Sequence, residues 1–283
     1  MIIAKSRFYL KFLLITYLSL PNLAAQAAGS DSQWQFSVGL GAGIRTNPVM
    51  DNDDIPLVVI PQLSYQGERF FIQNLDFGYT LFQNEKQQFN LLVTPSYDQV
   101  FFNKWDINNF IERSGLALDS SKDNPTVEPT NRVIDKRLLH KRHMAGLAGV
   151  EYSHSLYGLD IQLQLLTEAT GYYNGSEARV AVSKTINLGK HDVKLTLGTN
   201  WQDAKTINYY YGLPASEALH HAPYNTADGF TGLLRFDWSY QLDEHWSLRF
   251  FTSYRHFSSA ISDSPLVTTN NVITAFAGGV YHF

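Results

Sequence analysis

The last thirteen residues, Asn271 to Phe283 (N-V-I-T-A-F-A-G-G-V-Y-H-F), constrain the fold more than any other stretch. Phe283, Tyr281, Gly279, Ala277, Ala275 and Ile273 alternate with His282, Val280, Gly278, Phe276, Thr274 and Val272. Strand side chains point to opposite faces in turn, so the first set makes one apolar face. The second set is only partly polar, because Val280, Phe276 and Val272 interrupt it. A tilted strand of about 9–11 residues crosses a bilayer, and this run is long enough to do so.

An aromatic residue closing an apolar face at the C-terminus is similar to the terminal signal of bacterial outer-membrane barrels. That signal implies recognition by the barrel-assembly machinery. The question for the rest of the chain is whether it closes a barrel around this strand. Alternation recurs most cleanly in Leu159–Gly171, Val193–Trp201 and Phe230–Leu242, where Leu163, Leu197 and Phe236 oppose Gln164, Thr196 and Asp237. Weaker segments are Trp34–Arg45, Ile55–Tyr65, Arg69–Asn74, Leu75–Gln83, Gln88–Asn103, His143–His154, Ala178–Leu188 and Trp246–Ser259. With the terminal strand these predict an all-β, transmembrane, up-and-down antiparallel β-barrel of about 12 strands. Connections sort by length as such barrels require. The short set is Gln66–Glu68, Asn84–Gln87, Ser155–Gly158, Gly189–Asp192 and Asp243–His245. The other set holds the long loops Thr46–Asp54, Lys104–Arg142, Gly212–Asp228 and Ala260–Asn270, with shorter links near Asn74 and at Asn174–Glu177. This sorting predicts short periplasmic turns, longer outer loops and both termini on the periplasmic side.

The N-terminus supports export. Lys5, Arg7 and Lys11 precede an apolar run from Phe12 to Leu20 and a small-x-small site at Ala25-Gln26-Ala27. Residues 1–27 read as a cleaved signal peptide and residues 28–283 as one outer-membrane β-barrel domain. Losing the leader's three basic residues takes the formal charge from −4 to −7, which argues against a nucleic-acid partner. With no cysteine there is neither a disulfide nor a thiol nucleophile. The aromatics (16 Tyr, 18 Phe, 5 Trp) are abundant, yet no mature segment reaches the apolar length of a helical span. A barrel reconciles these facts, because its strands hide polar residues in a lumen.

Candidate chemistry is sparse. Arg45, Asp98, Glu151, Asp160, Glu168, Arg179, Lys194, Arg235, Asp237, Arg249 and Arg255 fall on lumen-facing positions. Their mixed signs favour pairing across a narrowed lumen over a conduit with one dominant sign. His256 and Ser258 share a face, but no third residue orients the imidazole and no oxyanion element is recognisable. His140, His143, His220 and His221 lie in or beside loops, with Glu217 near the second pair, a poor metal set. Gly39, Gly41 and Gly43 precede no helix and read as small lumen positions, not a nucleotide turn. Trp34, Trp105, Trp201, Trp246 and Tyr209–Tyr211 fit interfacial girdles. The long loop, with Pro125, Pro129 and a basic end at Lys136, Arg137, Lys141 and Arg142, admits a short helix around Asn108–Leu118. No catalytic, cofactor or metal site is predicted, and the chain is not read as an enzyme.

An ordered set of short motifs carries a resemblance. Gly39-Leu40-Gly41-Ala42-Gly43 with Asn47-Pro48 comes first, then Pro61–Tyr65 running into Arg69-Phe70-Phe71. Met144-Ala145-Gly146-Leu147 leads to Glu151-Tyr152-Ser153-His154 and Tyr157-Gly158. Asn208-Tyr209-Tyr210-Tyr211-Gly212, Asp263-Ser264-Pro265-Leu266-Val267 and Gly279-Val280-Tyr281-His282-Phe283 complete it. In that order and spacing the chain resembles the MipA/OmpV family of Gram-negative outer-membrane proteins, the MltA-interacting proteins. The resemblance implies a barrel without catalytic residues, set in outer-membrane lipid. It also implies a scaffold that joins a lytic transglycosylase to a penicillin-binding protein in peptidoglycan remodelling. Other members are associated with adhesion, osmotic response or antibiotic susceptibility. A narrow channel for small polar solutes is the alternative, with an adhesin or a lipid hydrolase built on His256 behind it.

Overall fold

A computed structural model describes residues 33–50, 52–102, 139–218 and 222–283. The leader, Trp105, the 108–118 segment, Lys136, Arg137, His220 and His221 lie outside the described residues.

Twelve strands form one closed antiparallel barrel. They are β1 (Gln33–Arg45), β2 (Ile55–Gln66), β3 (Phe70–Gln73), β4 (Asp76–Gln83), β5 (Gln87–Pro95) and β6 (Gly146–Leu156). Then follow β7 (Leu159–Glu168), β8 (Ser176–Leu188), β9 (His191–Gln202), β10 (Gly229–Gln241), β11 (Trp246–Phe257) and β12 (Asn271–His282). Each strand pairs with its sequence neighbours, and β12 closes on β1 from Ser37↔His282 to Arg45↔Thr274. The alternation explains why these segments are strands. Leu163, Leu165, Leu195, Leu197, Leu234 and Ile273 all point outward and are exposed. So broad an exposed apolar surface is stable only against lipid.

Turn chemistry fixes the hairpins. Tyr157 and Gly158 both have positive φ (51° and 70°), the two-residue turn whose twist matches the strands it joins. Asn74 (φ 57°) turns β3 into β4, which places the boundary between the third and fourth strands where Gln73 meets Asp76. The short links at residues 67–69, 84–86, 157–158, 189–190 and 242–245 lie at one end, with the start of β1 and the end of β12. The opposite, long-loop end carries two helices, α1 (Ala204–Tyr211) and α2 (Ser259–Ser262), and a 3₁₀ turn at Asp98–Phe101. The segment expected as one strand to Asn103 therefore stops at Pro95, whose ring carries no N–H for the ladder.

The β12–β1 seam is unusually tight. A Cβ on Gly41 would lie 2.2 Å from the Ala277 carbonyl oxygen, and one on Gly278 2.4 Å from that of Leu40. These positions admit no side chain, and the same holds for Gly43, whose Cβ would lie 2.3 Å from the Ala275 carbonyl oxygen, whereas Gly39 has room for one. Phe276 lies over the space they leave and stacks on Phe251 (5.6 Å between centroids, 26° between planes).

Candidate functional site

The barrel core sits inside the lumen at the long-loop end. Val49, Leu57, Phe101, Ile207, Tyr210, Tyr211, Phe251, Phe257, Val272 and Phe276 are among its buried members. The helix α1 supplies its centre. Asp203 is the N-cap, accepting from the Thr206 N–H at 2.9 Å, and Ile207, Tyr210 and Tyr211 repeat at helical spacing on the buried side. Tyr210 and Tyr211 are both 0% exposed, so they plug the lumen and form no interfacial girdle. An aromatic run suits a membrane interface and a packed core equally, and only the inward turn of the chain separates the two. Trp34 and Trp246, by contrast, are exposed near the short-turn end, as a girdle requires.

Polar ties hold the plug. The Tyr211 hydroxyl donates to Asp98 at 3.0 Å, and the Tyr210 hydroxyl to the His143 carbonyl at 3.2 Å. Ser264 Oγ donates to the Tyr211 carbonyl at 2.5 Å and accepts from the Leu266 N–H at 3.1 Å. Asn208 Nδ2 reaches the carbonyls of Ala204 (2.7 Å) and Thr226 (2.8 Å), and Asn47 Nδ2 reaches that of Phe101 (3.1 Å). Arg142 donates to the Gly212 carbonyl (3.0 Å) and pairs with buried Glu217 (2.9 Å). Glu217 also meets His140 Nδ1. Both partners are on the segment that enters β6. Among the described residues no three His, Asp or Glu side chains group as metal ligands.

Below the plug a cavity of about 1150 Å³ runs to the short-turn end. Ten of the eleven predicted lumen charges line it. The exception is Glu168, at the end of β7, where it accepts the N–H groups of Thr170 (2.6 Å) and Asn174 (2.9 Å) and shapes the β7–β8 turn. Charge pairing runs along strands and between neighbours, not across the lumen as expected. Glu177 accepts from Arg179 two residues on (2.8 Å), and Asp237 pairs with Arg235 and, at 3.5 Å, with Arg249. Residues two apart on a strand share a face, so this pairing is local. Glu151 is held instead by three side-chain amides, Asn90 (2.9 Å), Gln162 (2.7 Å) and Gln164 (2.6 Å).

The signs are paired locally but unevenly around the wall, since Asp237 on β10 offsets only part of the positive charge beside it. Cavity-lining Arg45, Arg235, Arg249 and Arg255 belong to β1, β10 and β11, whereas Asp76, Glu151 and Asp160 belong to β4, β6 and β7. Around the wall β10, β11, β12 and β1 are each six strands from β4, β5, β6 and β7. Within strands β4–β7 no lysine or arginine lines the cavity, and Lys86 lines it only at the rim, in the turn between β4 and β5. A basic wall thus faces an acidic one, an arrangement that sequence alternation marks as polar without ordering in space. Asp98, in the 3₁₀ turn, is raised above the usual carboxylate range by burial and by Glu177, against hydrogen bonds from Gln202 and Tyr211.

Ser258 and His256, weighed above as a Ser–His pair, are not brought together. Ser258 Oγ accepts the Phe230 N–H at 3.0 Å, and the His256 ring stacks on Tyr254 (6.4 Å, 14°) on the outer face of β11.

A closed twelve-stranded barrel with an exposed apolar outer surface and a charged interior defines an outer-membrane β-barrel protein. The family model for "MltA-interacting protein MipA" matches residues 38–283, and the chain belongs to that family. Similar proteins include YiaT of Escherichia coli (strain K12), 23% identical over 95% of this chain and 98% of the relative. The MltA-interacting protein of the same organism is 25% identical over 94% of this chain and 98% of its own length. Outer membrane protein Omp26La of Vibrio anguillarum is 26% identical over 74% and 77% of the two chains. Among solved structures, a NanC porin aligns at 7% identity with a TM-score of 0.41, covering 87% of this chain and 98% of that one.

Proposed function

We propose that this barrel is an interaction protein of the outer membrane that engages a peptidoglycan-remodelling enzyme from the periplasm, its short-turn end facing that compartment. The observation that carries the reading is the plug. A lumen filled by Tyr210, Tyr211, Phe101 and Phe251 leaves a blind vestibule, which suits a docking body better than a diffusion pore. The relative named MltA-interacting protein supports a lytic transglycosylase as the partner class; a penicillin-binding protein as the second member is part of the proposal and rests on the family resemblance alone. The leader of residues 1–27 delivers the chain, and the terminal strand is its handle for the assembly machinery. The test is capture of purified lytic transglycosylase on the barrel reconstituted in vesicles. Retention no greater than on an unrelated barrel of similar size would falsify the reading.

A second reading, a gated channel for small polar solutes, is favoured by the facing basic and acidic walls. Such walls orient and select charged solutes in a narrow lumen. Planar-bilayer recordings separate the two. The docking reading expects no conductance steps from the parent chain, and steps once Tyr210→Ala and Tyr211→Ala empty the plug. Steps from the parent chain favour the channel.

A further inference from the structure

The blind end of the lumen holds two arginines that form no hydrogen bond or ion pair among the described residues. Arg45, the last residue of β1, is 5% exposed, and both it and Arg255 line the cavity. Arg255 and Arg235 are the charges that act most strongly on Arg45 and both repel it, while the main opposite charge felt by Arg255 is Asp98, with which it forms no ion pair.

Nearby carboxylates are already engaged. Glu177 is taken by Arg179, Asp237 by Arg235 and Arg249, and Asp98 by Gln202 and Tyr211. Along β1, β8, β10, β11 and the 3₁₀ turn, five arginines line the cavity against these three carboxylates, a surplus of two positive charges. A guanidinium does not shed its proton, so burying Arg45 against two like charges, with Asp98 the one carboxylate acting strongly on Arg255, is unfavourable without a further anion. The register row Arg235↔Ser253, Ser253↔Thr274, Thr274↔Arg45 also sets two buried hydroxyl residues between the cations. From the short-turn end, Lys194 and Arg249 continue the basic wall toward this point. The amide-bound Glu151 and Asp160 on the opposite wall repel anions toward the arginines.

We propose that the blind end of the lumen is an anion-binding site, in which Arg45 and Arg255 clamp a carboxylate or phosphate group that enters from the short-turn end. Guanidinium forks suit such oxyanions because each presents two parallel donors to two oxygens. This inference rests on the lumen alone and is independent of which protein docks on the barrel.

Calorimetric titration of the detergent-solubilised barrel with inorganic phosphate, and separately with acetate, tests it at constant ionic strength. Saturable binding is expected, and the stronger of the two anions identifies the group. Arg45→Gln with Arg255→Gln weakens binding by at least about tenfold, since each removes charge-assisted hydrogen bonds. Arg255→Lys, which keeps the charge and loses the fork, falls between. Phosphate raises the unfolding temperature of the parent but not of the double variant, whose own unfolding temperature without phosphate is no lower than the parent's. Absence of saturable binding of either anion to the parent overturns the proposal. Equal binding by the parent and the double variant does the same. The parent titration decides even where the double variant does not assemble.

Discussion

At the scale of single residues, close approach and burial dominate. Gly278 sits where an added Cβ would meet the Leu40 carbonyl oxygen, the Phe276 ring and the Gly41 Cα, all within 2.8 Å. Gly278→Ala is expected to destabilise the barrel by roughly 1–3 kcal/mol, the usual cost of overpacking, measured by urea unfolding in vesicles. Asp98 gives a pH test. Folded Asp98 takes up its proton at a higher pH than the unfolded chain, whose value is near 3.8. The native state therefore binds more protons between 3.8 and the raised value, and stability contributed by this group falls as pH rises through that window. Asp98→Asn removes the fall. The stability of the variant relative to the parent is expected to grow with pH across the window, in denaturation series at matched ionic strength.

At the scale of elements, the terminal strand and the α1 plug act on different stages. Phe283 donates its N–H to the Phe36 carbonyl at 3.0 Å, and its ring meets Phe36 (5.0 Å) and Tyr281 (4.8 Å). It therefore fastens both sides of the closing seam. Deleting Phe283 is expected to lower the yield of heat-modifiable, membrane-inserted barrel more than Arg235→Gln does. Equal yields would show that the seam closes without it. The α1 plug was partly legible. Asp203 with Thr206, then Ile207, Tyr210 and Tyr211, is a capped short helix in retrospect, but eight residues between two strands give a weak periodic signal. The motifs that carry the family resemblance acquire a physical role here. Asn47, Asn208 and Ser264 each hydrogen-bond a backbone carbonyl that positions the plug.

At the scale of the whole molecule, the wall is uneven. Most strand pairs share eight or more residue partners, as β11 and β12 do, but β2 and β3 meet only at Ser64↔Gln73, Tyr65↔Ile72 and Gln66↔Phe71. Local opening follows the weakest pairing, so amide hydrogen exchange is expected to be fastest along β3 and slowest in β9–β12. Uniform protection around the barrel would contradict this. The sequence by itself determined the strand count, the outward faces of the four most regular strands and the two sets of connections. Each of these is written in local alternation and turn residues, and lipid enforces the pattern on every strand separately. The lumen's organisation was decided only in the tertiary structure. Alternation marks Arg45, Arg255 and Glu151 as inward, but which wall each joins depends on strands far apart in sequence. The same holds for Tyr210 and Tyr211, whose burial depends on a loop folding into the closed barrel. The outward alternation fits the chain to lipid, whereas closure of twelve strands around an inward-folded loop makes a blind, charged vestibule of it.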